Sequence, residues 1–315
     1  MQPQVVQVPL PILLLPSLLL HIFIPLTHPK STIEPCNSSD SCLSLLYYIL
    51  PYDSKLSEIA YRFQANISDI LGANSIAPTT LGDQIFETKS IFKVPVSCSC
   101  VDGIRRYMST TYTVRPADTA DSISEGFGGF VSAEQIKSSN GINATNPLMS
   151  GQSLVIQLPC TCFGNVNNGI PAVYMSYVVK IGESLDNIAT EFGTTTMELE
   201  GINGLGQPVV NPGDILSIPI SACSSANLKW YKESLIVANG SYALTASSCI
   251  KCVCGPNDFN LRCWPSGIAP LCYDQLRCKD SDLFIGDSLV HKTPFGCKVT
   301  SCIYRGHNGG KIYRR

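Results

Sequence analysis

The chain has 315 residues, of which 15% are charged, and a formal net charge of −2. No basic run or stripe occurs, which argues against nucleic acid as a partner. The length allows about two or three ordinary domains.

Residues 10–26 are almost wholly apolar, and no Asp, Glu, Lys or Arg precedes Lys30. The stretch is short for a membrane span and is broken by Pro11, Pro16 and Pro25. Residues 1–30 therefore read as a secretory signal peptide without the usual basic start, a membrane anchor being the alternative. All 15 cysteines lie at or beyond Cys36. In the oxidising compartment that a signal peptide implies, they are expected to form disulfides. Sequons at Asn37, Asn66, Asn143 and Asn239 predict N-glycosylation.

Three repeats follow, at residues 36–97, 108–159 and 173–220. Each has an aromatic-led strand, at Tyr48, Tyr112 and Tyr177, and eleven residues later stand Ile59, Ile123 and Ile188. In the first repeat Leu56, Ile59, Ala60 and Phe63 have the spacing of one helix face, as do Leu185, Ile188, Ala189 and Phe192 in the third. The second keeps Ala120, Ile123 and Phe127 but places Ser124 on that face. A second helix is predicted to start at the N-caps Asn66, Ser132 and Thr195. Asp69, Gln135 and Glu198 are each able to reach back to the cap. Asn74, Asn140 and Asn203 end these helices, and apolar strands ending in Pro95, Pro159 and Pro219 close the repeats. Residues 81–89 read as an insertion in the first repeat, which lacks the Gly-Asp that precedes the last strand of the third.

The two Cys-x-Cys spacers, Cys98-Ser-Cys100 and Cys160-Thr-Cys162, follow closing strands. Cysteines two apart in an extended segment sit near the upper limit of disulfide geometry, so each is expected to pair elsewhere. With Cys36 and Cys42 they form an even set, for which the sequence alone leaves about fifteen connectivities open. A metal site is the alternative, but His291 and His307 are distant. Residues 223–315 hold nine further cysteines, so one is expected to lack a partner within this chain. Cys249-Ile-Lys-Cys-Val-Cys reads as disulfide staples rather than as a redox or metal motif.

The run Tyr112-Thr-Val-Arg-Pro-Ala-Asp-Thr, with Ile123, Asn140-Gly and Leu154-Val-Ile-Gln-Leu-Pro, resembles the LysM domain. So does Tyr177-Val-Val-Lys-Ile-Gly-Glu-Ser-Leu, with Asn203-Gly and Pro212-Gly-Asp-Ile-Leu-Ser-Ile-Pro. The resemblance implies an α+β fold of three tandem βααβ units, each a two-stranded antiparallel sheet under two helices, followed by a Cys-rich block. Cys-x-Cys spacers between such units resemble plant LysM receptors, and Cys98-Ser-Cys-Val-Asp-Gly-Ile-Arg resembles the LysM-containing GPI-anchored type. That likeness implies the pairs Cys36–Cys100, Cys42–Cys162 and Cys98–Cys160. It also implies a further cysteine and a lipid-anchor tail beyond the end of this chain, which reads as a truncated or alternatively spliced form.

The resemblance implies a non-enzymatic receptor for N-acetylglucosamine polymers at the outer cell surface in plant immunity. Peptidoglycan is the expected ligand and chitin the alternative, with a LysM receptor kinase as signalling partner and no cofactor or metal. The expected glycan-binding loops of the second repeat are Pro116, Ala117, Asp118, Thr119, Ala120, Asp121 and Ser122 on one side. On the other are Asn143, Ala144, Thr145, Asn146, Pro147, Leu148 and Met149. In the third repeat they are Gly182, Glu183 and Ser184 with Asn211, Pro212 and Gly213. The first repeat offers only residues 51–56. Each has a structural reading too: Asp118 and Thr119 as helix caps, Pro147 and Gly213 as turn formers. The repeated tyrosines read as strand packing, and Asn74, Asn140 and Asn203 as helix C-caps. A glycan on Asn143 would obstruct the second groove. A secreted decoy and a cell-wall hydrolase are the rival functions. Asp274, Asp280, Asp282 and Asp287 could supply a carboxylate pair, but no nucleophile or zinc motif accompanies them.

Overall fold

The computed structural model describes residues 31–37, 40–225, 235–255, 259–268, 278, 287–304, 307–308 and 311–312. The predicted signal peptide lies outside them, as do Asp274, Asp280 and Asp282. The first unit comprises β1 (Ser41–Ile49), a short β2 (Ser54–Lys55), α1 (Leu56–Phe63), α2 (Ile67–Ala73), a short β3 (Ile85–Phe86) and β4 (Ile91–Cys100). The second is β5 (Arg106–Thr113), α3 (Ala120–Gly126), α4 (Ala133–Ser139) and β6 (Ser153–Pro159). After β7 (Val166–Asn167), the third is β8 (Ile170–Val178), α5 (Leu185–Phe192), α6 (Thr196–Ile202) and β9 (Ile215–Ser224).

The strand pairs do not remain separate two-stranded sheets. They fuse into one sheet in the order β9-β8-β1-β4-β5-β6, which puts the first unit in the middle. The junctions are β1 with β8, parallel at Leu45↔Met175 and Leu46↔Ser176, and β4 with β5 at Ser99↔Tyr107 and Cys100↔Arg106. The physical reason is β1. Its Leu45-Leu46-Tyr47-Tyr48 run is buried throughout, as expected of a strand covered on both faces. Successive side chains point to opposite faces. Leu46 and Tyr48 join the core of the first and second units, whereas Leu45 and Tyr47 join the core of the third. Tyr47 packs on Tyr177 and Phe192, with ring centroids 5.1 and 5.4 Å away. Tyr48 packs on Phe63 at 4.8 Å.

The helix–strand contacts are fixed by the repeated asparagines. Asn74 Nδ2 donates to Ile70 O at 2.7 Å and Lys93 O at 2.8 Å, and Lys93 N donates to Asn74 Oδ1 at 2.8 Å. Asn140 does the same with Ile136 and Val155, and Asn203 with Leu199 and Ser217, all at 2.7–3.0 Å. A planar carboxamide has a donor pair and an acceptor. Here it finishes the second helix and satisfies both backbone groups of one residue of the closing strand. Asn66, Ser132 and Thr195 are the N-caps of those helices. The return bond is made by Gln135, whose Oε1 accepts from Ser132 N at 2.8 Å. Glu198 accepts instead from Thr194, and from Asn167 and Asn168 at 2.6 and 3.0 Å; the bond from Thr194 first, and then that from Asn167, holds its carboxyl below the usual carboxylate range. Ser124, on the apolar face of α3, donates to Val131 O at 2.6 Å, which satisfies its hydroxyl. Residues 81–89 are tied back through β3, which pairs with β2.

Cys42–Cys162 and Cys98–Cys160 bridge the first unit to the end of the second, whereas Cys36–Cys100 ties the segment before β1 to the end of β4 within the first unit. The Cys42, Cys98 and Cys162 sulfurs lie within 4.8 Å of one another, but each is spent in a disulfide. The segment before Cys36 straps across the same junction. Glu34 accepts from Cys162 N at 2.6 Å and Phe163 N at 2.8 Å, and forms a buried ion pair with Arg106 at 3.1 Å. Beyond β9, β10 (Ile236–Ala238) extends the sheet, and β11 (Tyr242–Thr245), β12 (Ile250–Cys254) and β13 (Leu261–Pro265) form another. Tyr242 reaches the core of the first two units and donates to Ile76 O at 2.6 Å. Gly72 makes this docking possible, because a Cβ there would lie 2.3 Å from Tyr242 O. Cys223–Cys254, Cys252–Cys263 and Cys278–Cys302 staple the C-terminal region, where Cys249 is also disulfide-bonded. Among the described residues Cys297 is the free cysteine, and it is exposed.

Two outcomes follow from these contacts. Asn74→Ala leaves the Lys93 backbone groups without their partner. It should cost about 2 kcal/mol and lower the calorimetric melting temperature by roughly 4–8 °C, with no loss of disulfides on a non-reducing peptide map. Thiol titration of the unreduced, denatured chain should detect Cys297 alone, and a modified Cys98 or Cys160 would contradict the bridges.

Candidate functional site

Each unit carries the same backbone clasp at one end. Val114 N donates to Gln152 O at 2.9 Å while Gly151 N donates to Val114 O at 2.8 Å. Val179 does so with Asp214 and Gly213, at 2.9 and 2.8 Å, and Leu50 with Ser90 and Lys89, also at 2.9 and 2.8 Å. The residue two positions before the closing strand turns through left-handed backbone, with φ of 85° at Gly151, 90° at Gly213 and 67° at Lys89. Lys89 thus adopts, without glycine, the conformation that the other units give to Gly. The clasp brings the loop after each first strand beside the loop before each last strand. In the second unit it ties Val114, two residues before the 116–122 stretch, to Gly151, two residues after the 143–149 stretch; in the third it ties Val179, three residues before 182–184, to Gly213.

Several side chains in these loops are already occupied. Tyr112 Oη donates to Asp118 Oδ2 at 2.7 Å, and Arg115 N donates to the same oxygen at 2.7 Å. Tyr177 Oη donates to Glu183 Oε1 at 2.6 Å, and Lys180 N to Glu183 Oε2 at 2.8 Å. Burial first, and then the bond to Asp118, pushes the Tyr112 phenol up to about 12. Tyr177 is raised by burial and Glu183 in the same way. The strand tyrosine and the loop acid therefore shape the loop between them. The first unit has Ser54 at the acid's position, and Tyr48 Oη donates instead to Gly126 O at 2.8 Å while accepting from Arg62. Thr119 and Ser184 cap α3 and α5, accepting from Ser122 N at 3.0 Å and Asn187 N at 3.2 Å. Asn143 Oδ1 accepts from Thr145 N at 2.9 Å and Asn146 N at 3.0 Å, closing its own turn.

What remains accessible is mostly backbone and apolar tip. Pro116, Ala117, Asp121, Ala144, Thr145, Asn146, Pro147 and Met149 are exposed, Leu148 is half-buried and Ala120 is buried. Ala117 takes φ of 68° where the third unit has Gly182 at 85°. Met149 is 58% exposed and Ile181 91%. The sequons Asn37, Asn66 and Asn143 are also exposed, whereas Asn239 is half-buried. A groove of about 920 Å³ runs beside the third unit, and Asn211 lines it. Its other wall, Thr32, Ile33 and Gln135, comes from the N-terminal strap and from α4, not from residues 182–184. No spacing within the third repeat points to that wall, because it is built by another part of the chain.

Among the described residues no helix is long and apolar enough to cross a membrane. The LysM domain family model matches residues 112–157 and 177–219. The chain is 45% identical over 287 residues to LysM domain-containing GPI-anchored protein 1 of Arabidopsis thaliana, covering 90% of this chain and 69% of that protein. It is 41% identical over 290 residues to LysM domain-containing GPI-anchored protein LYP6 of Oryza sativa subsp. japonica, covering 90% and 71%. Its identity to the Chitin elicitor-binding protein of the same rice is 28% over 284 residues, covering 86% and 76%. Two matched LysM repeats within an alignment that spans most of both partners make this chain a member of the plant LysM domain-containing GPI-anchored protein family.

Proposed function

We propose that this chain is a non-enzymatic extracellular recognition protein that binds N-acetylglucosamine polymers in plant immunity, with peptidoglycan as the preferred ligand and chitin second. The observation that supports the reading is the clasp, which ties the end of each first strand to the residues just before each last strand and so brings the ends of the two expected loops together. Oligosaccharides suit such a site, because they offer hydroxyl and acetamide groups to backbone donors and acceptors and weakly apolar faces to tips such as Met149. The loop carboxylates of Asp118 and Glu183 are committed to holding the loops, which disfavours them as a general acid–base pair. The first unit shares the strand order, the asparagine clamp and the clasp, and we take it as a third, divergent LysM unit. The names of the similar proteins support carbohydrate binding in the family, and one of them names chitin. The family's anchor supports a site at the outer face of the plasma membrane, and signalling there would pass through a LysM receptor kinase.

The test is retention of the secreted chain on insoluble peptidoglycan, chitin and cellulose in parallel. Retention on the first two, with no release of reducing ends, is expected. A folded chain retained by neither refutes the proposal. Met149→Ala and Ile181→Ala separate the units: each removes an exposed apolar tip without a loop hydrogen bond from its side chain. The one that raises the half-saturation concentration about threefold or more identifies the binding unit.

A further inference from the structure

A groove of about 360 Å³ lies at the boundary of the first two units, outside the expected loop pairs of the second and third, with Tyr52 and Asp53 of the first repeat's 51–56 stretch on one side. Tyr52, from the loop after β1, and Tyr61, from the outer face of α1, line it together with Tyr112 and Arg115 at the end of β5. Tyr61 is 75% exposed and Tyr52 46%. Both rings are thus open to solvent along one groove.

The Tyr52 side of the groove is held from behind. Arg62 is buried between the units, where its Nη1 donates to Gly126 O at 2.9 Å and also to Tyr48 Oη. Its Nη2 donates to Tyr52 Oη at 2.6 Å, and its guanidinium stands 5.2 Å from the Tyr52 ring centroid. Tyr52 is thus fixed by a hydrogen bond and a cation–π contact while part of its ring stays in the groove. Thr110 Oγ1 donates to Arg62 O at 3.1 Å, which locks β5 to α1 and so fixes the groove's other wall. The nearby acids are largely spent: Asp53 Oδ1 accepts from Thr88 N at 2.8 Å, and Glu58 Oε2 from Lys55 N at 2.9 Å. The result is a preformed slot with aromatic faces, a few polar atoms and little unbalanced charge.

We infer that this inter-unit groove is an additional sugar subsite, in which an N-acetylhexosamine ring stacks on Tyr61 and Tyr52 and offers its hydroxyl or acetamide groups to Arg115 and to Glu58 Oε1, the oxygen not used by Lys55 N. The inference rests on the glycan-binding reading above and extends it. The groove opens onto the expected loop of the second unit, since Arg115 precedes Pro116 and Tyr112 is bonded to Asp118. A single extended chain can therefore lie across the second unit and continue into the slot. Asn143, the sequon of the opposite loop, is not among the groove's lining residues.

Tyr61→Ala and Tyr61→Trp test it, because the Tyr61 side chain is outward-facing on a helix and its removal spares the core. Binding isotherms of the secreted wild type and both variants are measured on insoluble peptidoglycan and on chitin. On the polymer that retains the wild type, Tyr61→Ala should raise half-saturation about three- to tenfold and Tyr61→Trp should not. Soluble fragments of that polymer should shift the indole emission of the Tyr61→Trp variant relative to that of the wild type. Wild-type retention with Tyr61→Ala within twofold, and no emission change in Tyr61→Trp, overturns the subsite alone. A wild type retained by neither polymer overturns the glycan-binding reading and the subsite with it.

Discussion

The architecture depends on a strand buried on both faces. In β1, Leu46 and Tyr48 complete the core of the first two units, and Leu45 and Tyr47 complete that of the third. Burying a side chain of this size contributes about 1.5–3 kcal/mol, so neither core closes without it. The disulfides act on an arrangement that the strand has already dictated. Cys42 lies on β1 itself and Cys98 on its neighbour β4, and their bridges to Cys162 and Cys160 secure the second unit against the first. The Glu34–Arg106 pair and the backbone donors of Cys162 and Phe163 close the same corner from the N-terminal side.

Against this rigid centre, each unit spends its polar residues on two local devices. One is the asparagine that joins helix end to closing strand, and the other is the clasp that sets the loops together. The tyrosine and its loop acid refine the second device in the second and third units. Where the first unit lacks the acid, its tyrosine turns to Arg62 and Gly126 and binds the neighbouring unit instead. One substitution in a repeated pattern thus accompanies the change of an intra-unit contact into an inter-unit one.

Much of this was legible in the residues. The helix spacing at Leu56, Ile59, Ala60 and Phe63, the N-caps and the terminal asparagines all mark local structure, and local structure is what periodicity encodes. The asparagines were readable as caps, but not as strand partners, because Lys93, Val155 and Ser217 lie fourteen or more residues away. Cys-x-Cys spacing required partners elsewhere but could not choose them, and only the resemblance to a family suggested the pairs. Fusion of the sheets was hidden as well. The continuous Leu45–Tyr48 run signals a strand covered on both faces, yet nothing in it names β8 as the neighbour. The same holds for Arg62, which reads as an ordinary helix-surface cation until Gly126, 64 residues on, comes to face it.

Because alternate positions of one strand feed separate cores, the three units are not beads that can be exchanged or lengthened one at a time. A single-residue insertion before Leu45 would rotate the strand by half its pleat, sending Tyr48 toward the third unit and Tyr47 toward the other two. Both cores would fail together. The first unit differs from the other two at positions off this strand, such as Lys89 and Ser54, while the middle of its opening strand answers to two sets of neighbours at once.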